Sequence, residues 1–516
     1  MANKTLFETV AGRLKTNVRN EAGGRAFSFT PRHALAQYAV TGCLNSTFYA
    51  NAATQLEKVL HLAGAVEASF VAKTALYCRT RGYMKDMPAL LCATLATRDP
   101  ALLAIVFDRV INNGKMLRNF VQIIRSGVTG RKSLGSAPKR LVQRWFEQRD
   151  DAQVFCASVG QTPSLADVIK MVHPRPAAPS REALYGWLIG RPHNAEKLPP
   201  LVREFESYKR GDLKVAPEVP FQMLTALNLD SAAWQLIADR APWQMTRMNL
   251  NTFARHGVFN DASRVNRIAN RLRDPKVIRR ARCFPYQLLT AFHSVDKTVP
   301  EPIRNALQDA MEVAIENVPA IQGRVIVCPD VSGSMQSPVT GYRPGATTVT
   351  RCIDVAALIA AAVLRKNPDA EVIAFSDNVV PCRLNPRDSV MTNAQKLASL
   401  PSGGTDCSAP LRHLNQQRAK GDLVIFVSDN MSWVDSQYGG RSTATMSEWA
   451  KFQARNRGAR LVCLDVQPSE STQAVERADI LNIGGFSDAV FEIVAAFSTG
   501  ELHPDHWVGL IDRIAL

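Results

Sequence analysis

VIVCPDVSGSMQSP, residues 325–338, decides how the carboxy-terminal part of this chain folds. Four apolar residues run into a proline, and Asp330, Ser332 and Ser334 follow on alternate positions. A β-branched run this short reads as a strand buried on both faces, the kind found in parallel sheets. In a sheet wound with helices on both sides, ligands bind at the carboxyl ends of the strands. The D-x-S-x-S alternation lets three oxygen-bearing side chains converge there while the residues between them point away.

The same texture recurs downstream. GRVIVCPD (323–330), AEVIAFSD (370–377), GDLVIFVSD (421–429) and ARLVCLDV (459–466) are short β-branched runs bounded by polar or turn residues. Helical stretches separate them: CIDVAALIAAAVLRK (352–366), NAQKLASL (393–400) and SEWAKFQARNRG (447–458). Strands alternating with helices predict an α/β doubly wound unit from residue 319 to 516.

Upstream the pattern is helical. PALLCATLA (88–96), PALLAIVFDRVI (100–111), LADVIKMV (165–172), REALYGWLIG (181–190), AAWQLIADRAP (232–242) and YQLLTAFHSV (286–295) place apolar residues at three- and four-residue spacing. Proline, aspartate or serine stands near the start of many of them, as at helix entries. Successive short amphipathic helices from about residue 31 to 318 predict a stacked, HEAT-like all-α repeat array. The chain is therefore multidomain, as 516 residues already imply.

Composition narrows the function. Sixty-two basic against 46 acidic residues give a formal charge of +16, which favours a polyanionic partner. The 10 cysteines are scattered with no C-x-x-C pair, which fits reduced thiols in a cytoplasmic protein rather than a disulfide framework or a zinc site. The first twenty residues, MANKTLFETVAGRLKTNVRN, lack the apolar run of a signal peptide, and no segment reaches 18 uninterrupted apolar residues. A cytoplasmic protein with no membrane partner is expected.

Two more loops join the first. GGTDC (403–407) offers Thr405 and Asp406 after a double glycine, and SDN (428–430) offers Asp429 at a strand end. Hydroxyls and carboxylates without thiolate or imidazole suit a hard divalent cation, Mg²⁺ above all. D-x-S-x-S alone is a weak signal, because serine-rich turns commonly cap helices. A hydrolase nucleophile at Ser332 requires G-x-S-x-G, and position 330 is Asp, so no enzyme is read here. Taken together, D-x-S-x-S after a strand, G-G-T-D and a strand ending in S-D resemble the metal-ion-dependent adhesion site of von Willebrand factor A domains. The resemblance implies a metal shell of Asp330, Ser332, Ser334, Thr405 and Asp429, with Asp406 either a member or an orienter of its loop. It also implies a noncatalytic site, one that holds a partner's carboxylate or phosphate or serves structure alone.

Basic residues concentrate elsewhere. Between Asp108 and Glu147 there is no acidic residue, and Arg131, Lys132, Lys139, Arg140 and Arg144 all fall in that interval. A flexible basic loop leading into a helix suits phosphate oxygens, although a charge run is more often a solvated face. SRVNRIANRLRDPKVIRRAR (263–282), with Arg279 and Arg280, is a second patch, and Lys170, His173 and Arg175 in VIKMVHPRP are a third. No ribonucleoprotein aromatic signature, KH loop or zinc-finger spacing is present, so recognition of RNA shape, phosphates and single-stranded ends is expected.

The whole chain resembles the Ro ribonucleoprotein family, in its bacterial form, whose helical part is the TROVE module. GRKSLGSAPKRLVQRWF, SLADVIKMVHPRP, RDPKVIRRARCFPYQLLTAF, VCPDVSGSM, VIAFSDNVVPC and PSGGTDCSAP carry the resemblance, from about residue 20 to the end. Residues 1–20 and the polar stretch 432–447 depart from it. It implies an N-terminal segment (1–20), a TROVE repeat ring (21–318) and a von Willebrand factor A domain (319–516). It further implies a noncatalytic protein that binds small Y-like RNA on the ring's outer surface, through Lys139, Arg140, Arg144, Lys170, His173 and Arg175. Single-stranded 3′ ends of misfolded RNA would enter the ring's hole, in RNA quality control, with the exoribonuclease polynucleotide phosphorylase as a partner and a monomer as the state. The reading from another class is a protein-interaction scaffold whose A domain captures a partner's carboxylate through the cation. Nuclease treatment separates the two, since only the RNA reading makes partner capture nuclease-sensitive.

Overall fold

A computed structural model describes residues 15–281, 285–316, 318–342, 350–434, 442–487, 489–502 and 506–516. Most of the expected N-terminal segment, part of the 432–447 stretch and the Arg282–Phe284 portion of RRARCFPYQLLTAF lie outside the described residues.

Each predicted helical run is a helix: Asp86–Arg98, Pro100–Val110, Leu165–Val172, Pro179–Ile189, Ser231–Arg240 and Pro285–Ser294. Local chemistry sets their ends. Asp99 accepts the N–H of Leu102 ahead of Pro100, and a proline at the first helical position loses no bond. Ser164 and Asp167 form a capping box, and His173 closes that helix in the left-handed region at φ 49°. Helix Asp86–Arg98 packs on Ala68–Thr80, Pro100–Val110 and Gly114–Ser126, and Pro100–Val110 packs in turn on Ser136–Glu147. Neighbour stacks on neighbour, as in a HEAT-like array.

The strands of the doubly wound unit are β3 (Val325–Pro329), β4 (Glu371–Val372), β5 (Leu423–Ser428), β6 (Arg460–Asp465) and β8 (Ile480–Gly484). They form a parallel sheet in the order β4-β3-β5-β6-β8. Alternation divides it into two faces. Val325, Val327, Ile425, Val427, Val462 and Leu464 join an apolar core that runs on into the helical array. Ile326, Cys328, Val424, Phe426, Leu461 and Cys463 face a second core with Leu411, Trp449 and Phe452 from helices Ala409–Gln416 and Ala444–Arg455.

Both ends of the helical array rest on this unit. At the start, helix Pro31–Thr41 packs on β8 and on the last helix, His506–Asp512, which also packs on Ala68–Thr80. Gln37 donates to Asp465 at 3.0 Å. At the other end, Pro285–Ser294 packs on Cys352–Lys366, and Glu301–Ile315 on Val390–Ala398. The helical repeats thus close into a ring through the doubly wound unit.

A small antiparallel sheet reinforces the closure. Its strands are β1 (Val18–Arg19), β2 (Arg25–Ser28) and β7 (Ser471–Thr472), with Phe27 opposite Thr472. No helix among the described residues is long and apolar enough to cross a membrane.

Candidate metal centre and nucleic-acid interface

In the β4-β3-β5-β6-β8 order the chain steps from β3 outward to β4, then crosses back to β5 on the other side of β3. The switch point therefore lies between β3 and β5, where a doubly wound sheet opens a crevice. Asp330 follows β3 and Asp429 follows β5, so both carboxylates stand at this crevice.

The loops are tied together. Asp330 accepts the Ser332 N–H at 2.8 Å and the Ser428 hydroxyl at 2.6 Å. The Ser332 and Ser334 hydroxyl oxygens lie 3.3 Å apart, and Ser334 adjoins the Asp429 carboxylate. Gly333 N–H donates to Gly403 O at 2.9 Å, which ties the first loop to the G-G-T-D loop. Thr405 O accepts from Trp433 N–H at 3.2 Å and from the Ser432 hydroxyl at 3.4 Å. Asp330, Ser332, Ser334, Thr405 and Asp429 are all buried within this arrangement.

Asp406 turns the other way. It accepts from Ser408 N–H (2.9 Å), from the Ser408 hydroxyl (2.6 Å) and from Arg412 (2.8 Å), which anchors its loop to helix Ala409–Gln416. Of the two roles its sequence leaves open, its bonds match that of orienting the loop.

Charge makes the site unusual. Burial raises both the Asp330 and Asp429 carboxyls above the usual carboxylate range, and Asp429 adds to the rise at Asp330. Among the described residues neither aspartate has a basic partner within ion-pair distance. Two buried, facing carboxylates without a counter-charge are costly, and a cation between them removes the cost. Two carboxylates with three hydroxyls form a hard-oxygen donor set, and the residues present fit Mg²⁺.

One contributor comes from the helical half, and the sequence gives no signal of it. Tyr49 approaches Ser334, and burial, followed by Asp429, holds its phenol above the ordinary range. Tyr49 is brought there by a loop fastened to the doubly wound unit. Asn45 donates to Thr340 O at 2.9 Å, and Tyr342 N–H to Ser46 O at 2.7 Å.

The basic residues predicted from sequence divide into groups. Gln143, one turn beyond Lys139 and Arg140, donates to Val172 O at 2.7 Å, so the helix carrying them meets the end of the helix carrying Lys170 and His173. Lys132 lays its stem against Gly127, at the end of helix Gly114–Ser126. Lys132, Arg140, Lys170, His173 and Arg175 are exposed and Lys139 is half-buried along this edge. Asp167, the carboxylate beside it, is committed to Ser164.

Two predicted residues there are engaged in the fold. Arg131 donates to Ser133 O at 2.9 Å and Ala96 O at 3.1 Å, shaping the loop. Arg144 pairs with Asp108 at 2.9 Å and bonds Ala104 O at 3.2 Å. Arg279 and Arg280 lie apart, exposed on helix Pro275–Ala281, with Arg279 paired to Glu316.

Comparison with known proteins agrees with this architecture. Residues 187–326 match the family model described as TROVE domain, and residues 324–498 the one described as Ro60 vWA domain. The chain is 26% identical over 539 residues to the RNA-binding protein RO60 of Deinococcus radiodurans, covering 94% of this chain and 96% of that protein. It is 26% identical over 291 residues to the RNA-binding protein RO60 of Caenorhabditis elegans, covering 54% of this chain and 43% of the relative. Its fold is like that in the crystal structure of Deinococcus radiodurans RO (RSR) protein, with a TM-score of 0.60 and 21% identity across 92% of this chain and 100% of that one.

Proposed function

The chain belongs to the Ro family, joining a TROVE domain to a Ro60 von Willebrand factor A domain, and on that premise we propose that it is an RNA-binding ring without catalytic activity of its own. The observation that carries this reading is the cationic edge where Lys132, Lys139, Arg140, Lys170 and His173 meet, on a chain whose relatives are RNA-binding proteins. Exposed lysines and arginines at adjoining helix ends neutralise backbone phosphates without reading bases. The ligand at this edge is a small structured, Y-like noncoding RNA. Single-stranded 3′ ends of misfolded RNA enter the hole of the ring. The protein acts as a cytoplasmic monomer in RNA quality control, with an exoribonuclease, polynucleotide phosphorylase, as the enzyme it serves.

Asp330, Ser332, Ser334, Thr405 and Asp429 hold a divalent cation, Mg²⁺ by their all-oxygen chemistry. When bound it supplies a positive charge that neutralises the two buried aspartates. The chain's own part is to hold the loops after β3 and β5 and the G-G-T-D loop in register, through Ser428, Gly333 and Ser432.

The test is to purify the protein from its own cells, read its absorbance at 260 and 280 nm and sequence what is extracted. One abundant, folded small RNA is the expected result. Clean protein at low salt overturns the RNA reading and leaves the scaffold.

A further inference from the structure

Two adjoining cavities on the helical array have no part in the reading above. The first, of about 730 Å³, is bounded by the start of helix Gly114–Ser126 and the end of helix Ser136–Glu147. The second, of about 680 Å³, lies among the segments around Val215 and Met248. Pro220 and Gln222 line both, so the two are one groove.

Its ends differ in chemistry. The first end carries Lys115, Arg118 and Arg149 and has no aspartate or glutamate in its wall. Both arginines are fixed by the backbone rather than by carboxylates. Arg118 donates to Val159 O, and Arg149 donates to Trp145 O at 2.8 Å and Asn112 O at 3.2 Å. The nearby carboxylate of Asp108 is paired with Arg144 at 2.9 Å. Burial lowers both guanidinium pKa values, and at Arg149 the charge of Asp108 partly opposes the fall.

The second end is mainly aliphatic, with Glu218 and Arg240 as its charged members. Met248 is 65% exposed, Leu236 44% and Val215 41%, a concentration of apolar side chains that marks an interaction surface. Leucine, methionine and proline there fit aliphatic side chains of varied shape.

Nucleobases stack on aromatic faces or on guanidinium planes, and the groove offers them no free aromatic face. The groove has two aromatic residues, Trp145 and Phe221. The Arg149 guanidinium covers the Trp145 ring at 3.8 Å, and Phe221 packs against Trp234 and Phe253 at 5.7 and 6.0 Å between ring centroids.

We propose that this groove docks a peptide segment of a partner protein in which acidic residues adjoin aliphatic ones, the carboxylates taken by Lys115, Arg118 and Arg149 and the aliphatic side chains by Leu236 and Met248. Charge complementarity at one end and uncovered aliphatic surface at the other fix the chemistry of the segment. The cationic end of the groove lies at the start of helix Gly114–Ser126 and the end of helix Ser136–Glu147, the opposite ends from Lys132 and from Lys139 and Arg140, so one chain can hold RNA and a protein partner together.

The test is selection of phage-displayed random twelve-residue peptides on the full-length protein, freed of RNA, followed by anisotropy titration of the recovered peptides. Lys115→Glu and Leu236→Asp are the variants, both at exposed positions, with thermal unfolding as the check on folding. The expected result is recovery of peptides with Asp or Glu next to Leu, Ile or Met, weakened at least tenfold by each variant. Recovery of no such peptides, or of peptides that bind both variants as they bind the parent, overturns the proposal. So does displacement of the peptides by a nine-nucleotide oligouridylate whose binding needs both Lys115 and Leu236, because the groove is then an RNA site. RNA binding at the Lys139–Arg140 edge is measured on the same variants and is expected to be unchanged.

Discussion

The Lys73 ammonium lies 3.1 Å from the Asp512 carboxylate, a contact between one of the first helices of the ring and the last helix of the chain. Arg32 reaches the same carboxylate at 3.1 Å. The ring is thus fastened by residues more than four hundred positions apart. The ion pairs are partly exposed and contribute about 0.2–1 kcal/mol each. The larger share comes from Trp507, fully buried one turn earlier, with its ring edge-on to His33 at 5.5 Å and to Tyr77 at 6.2 Å. Trp507→Ala is expected to cost about 3–5 kcal/mol, and Asp512→Ala, which loses both pairs, about 0.4–2 kcal/mol. Chemical denaturation reads both, and equal costs would show that the apolar contact is not the main fastening.

His33 makes the same junction sensitive to acid. Burial holds its imidazole down to about 3, against an ordinary value of 6.5. The unfolded chain therefore takes up a proton at a pH where the folded chain does not. The stability this residue permits is present above pH 6.5 and is lost progressively as pH falls from there toward 3, by roughly 1 kcal/mol for each pH unit in that window. Glu476, pushed up to about 7 by burial, acts with the opposite sign over part of that range. Only the difference between the parent and His33→Phe isolates the histidine. That difference should grow with falling pH, and a constant difference would place the acid sensitivity elsewhere.

Much of this was legible in the sequence, for reasons that are local. Ser164 and His173 bound a helix read correctly from spacing, because a capping box and a left-handed C-cap are encoded within ten residues. The runs at 325–329 and 423–428 announce themselves because strands buried on both faces are apolar throughout. The rest depends on distant partners. β2 and β7 are four and two residues long and exist because they pair across the chain, so no periodicity marks them. β8 carries Asn482 within an apolar run, and its polar side chain is satisfied by Glu476 and Ala474. The Arg144–Asp108 pair and the approach of Tyr49 to Ser334 join different elements, which spacing along the chain cannot reveal.

The oxygen site makes a prediction in which the sign reverses. Without metal, Asp330 and Asp429 repel each other in a buried setting, so Asp330→Asn should unfold at or above the parent's temperature in EDTA. With a cation present, binding adds about 2.7 kcal/mol at a hundredfold excess over Kd to the parent alone. The order should then invert in millimolar Mg²⁺. Thermal unfolding of parent and variant with and without Mg²⁺ checks this, and a parent indifferent to Mg²⁺ would leave the site without its proposed ion.

The proposed RNA edge predicts a difference between neighbouring residues of one helix. Lys139 and Arg140 face the helix end that bears Lys170 and His173, whereas Arg144 is spent on Asp108. A ligand held through six to ten phosphates loses about three to five decades of affinity between 50 and 200 mM salt, and each lost contact removes about 0.7–0.9 from the logarithmic slope. Charge reversal of Lys139 and Arg140 together should therefore flatten that slope by about 1.4–1.8 and weaken binding at low salt. Arg144→Ala should leave the slope unchanged and cost about 0.2–1 kcal/mol of stability through its lost pair. Titrating a small structured RNA at four salt concentrations against the three proteins separates the cases. If Arg144→Ala flattens the slope as much as the double reversal does, the ion pair with Asp108 opens on binding and the interface extends toward helix Pro100–Val110.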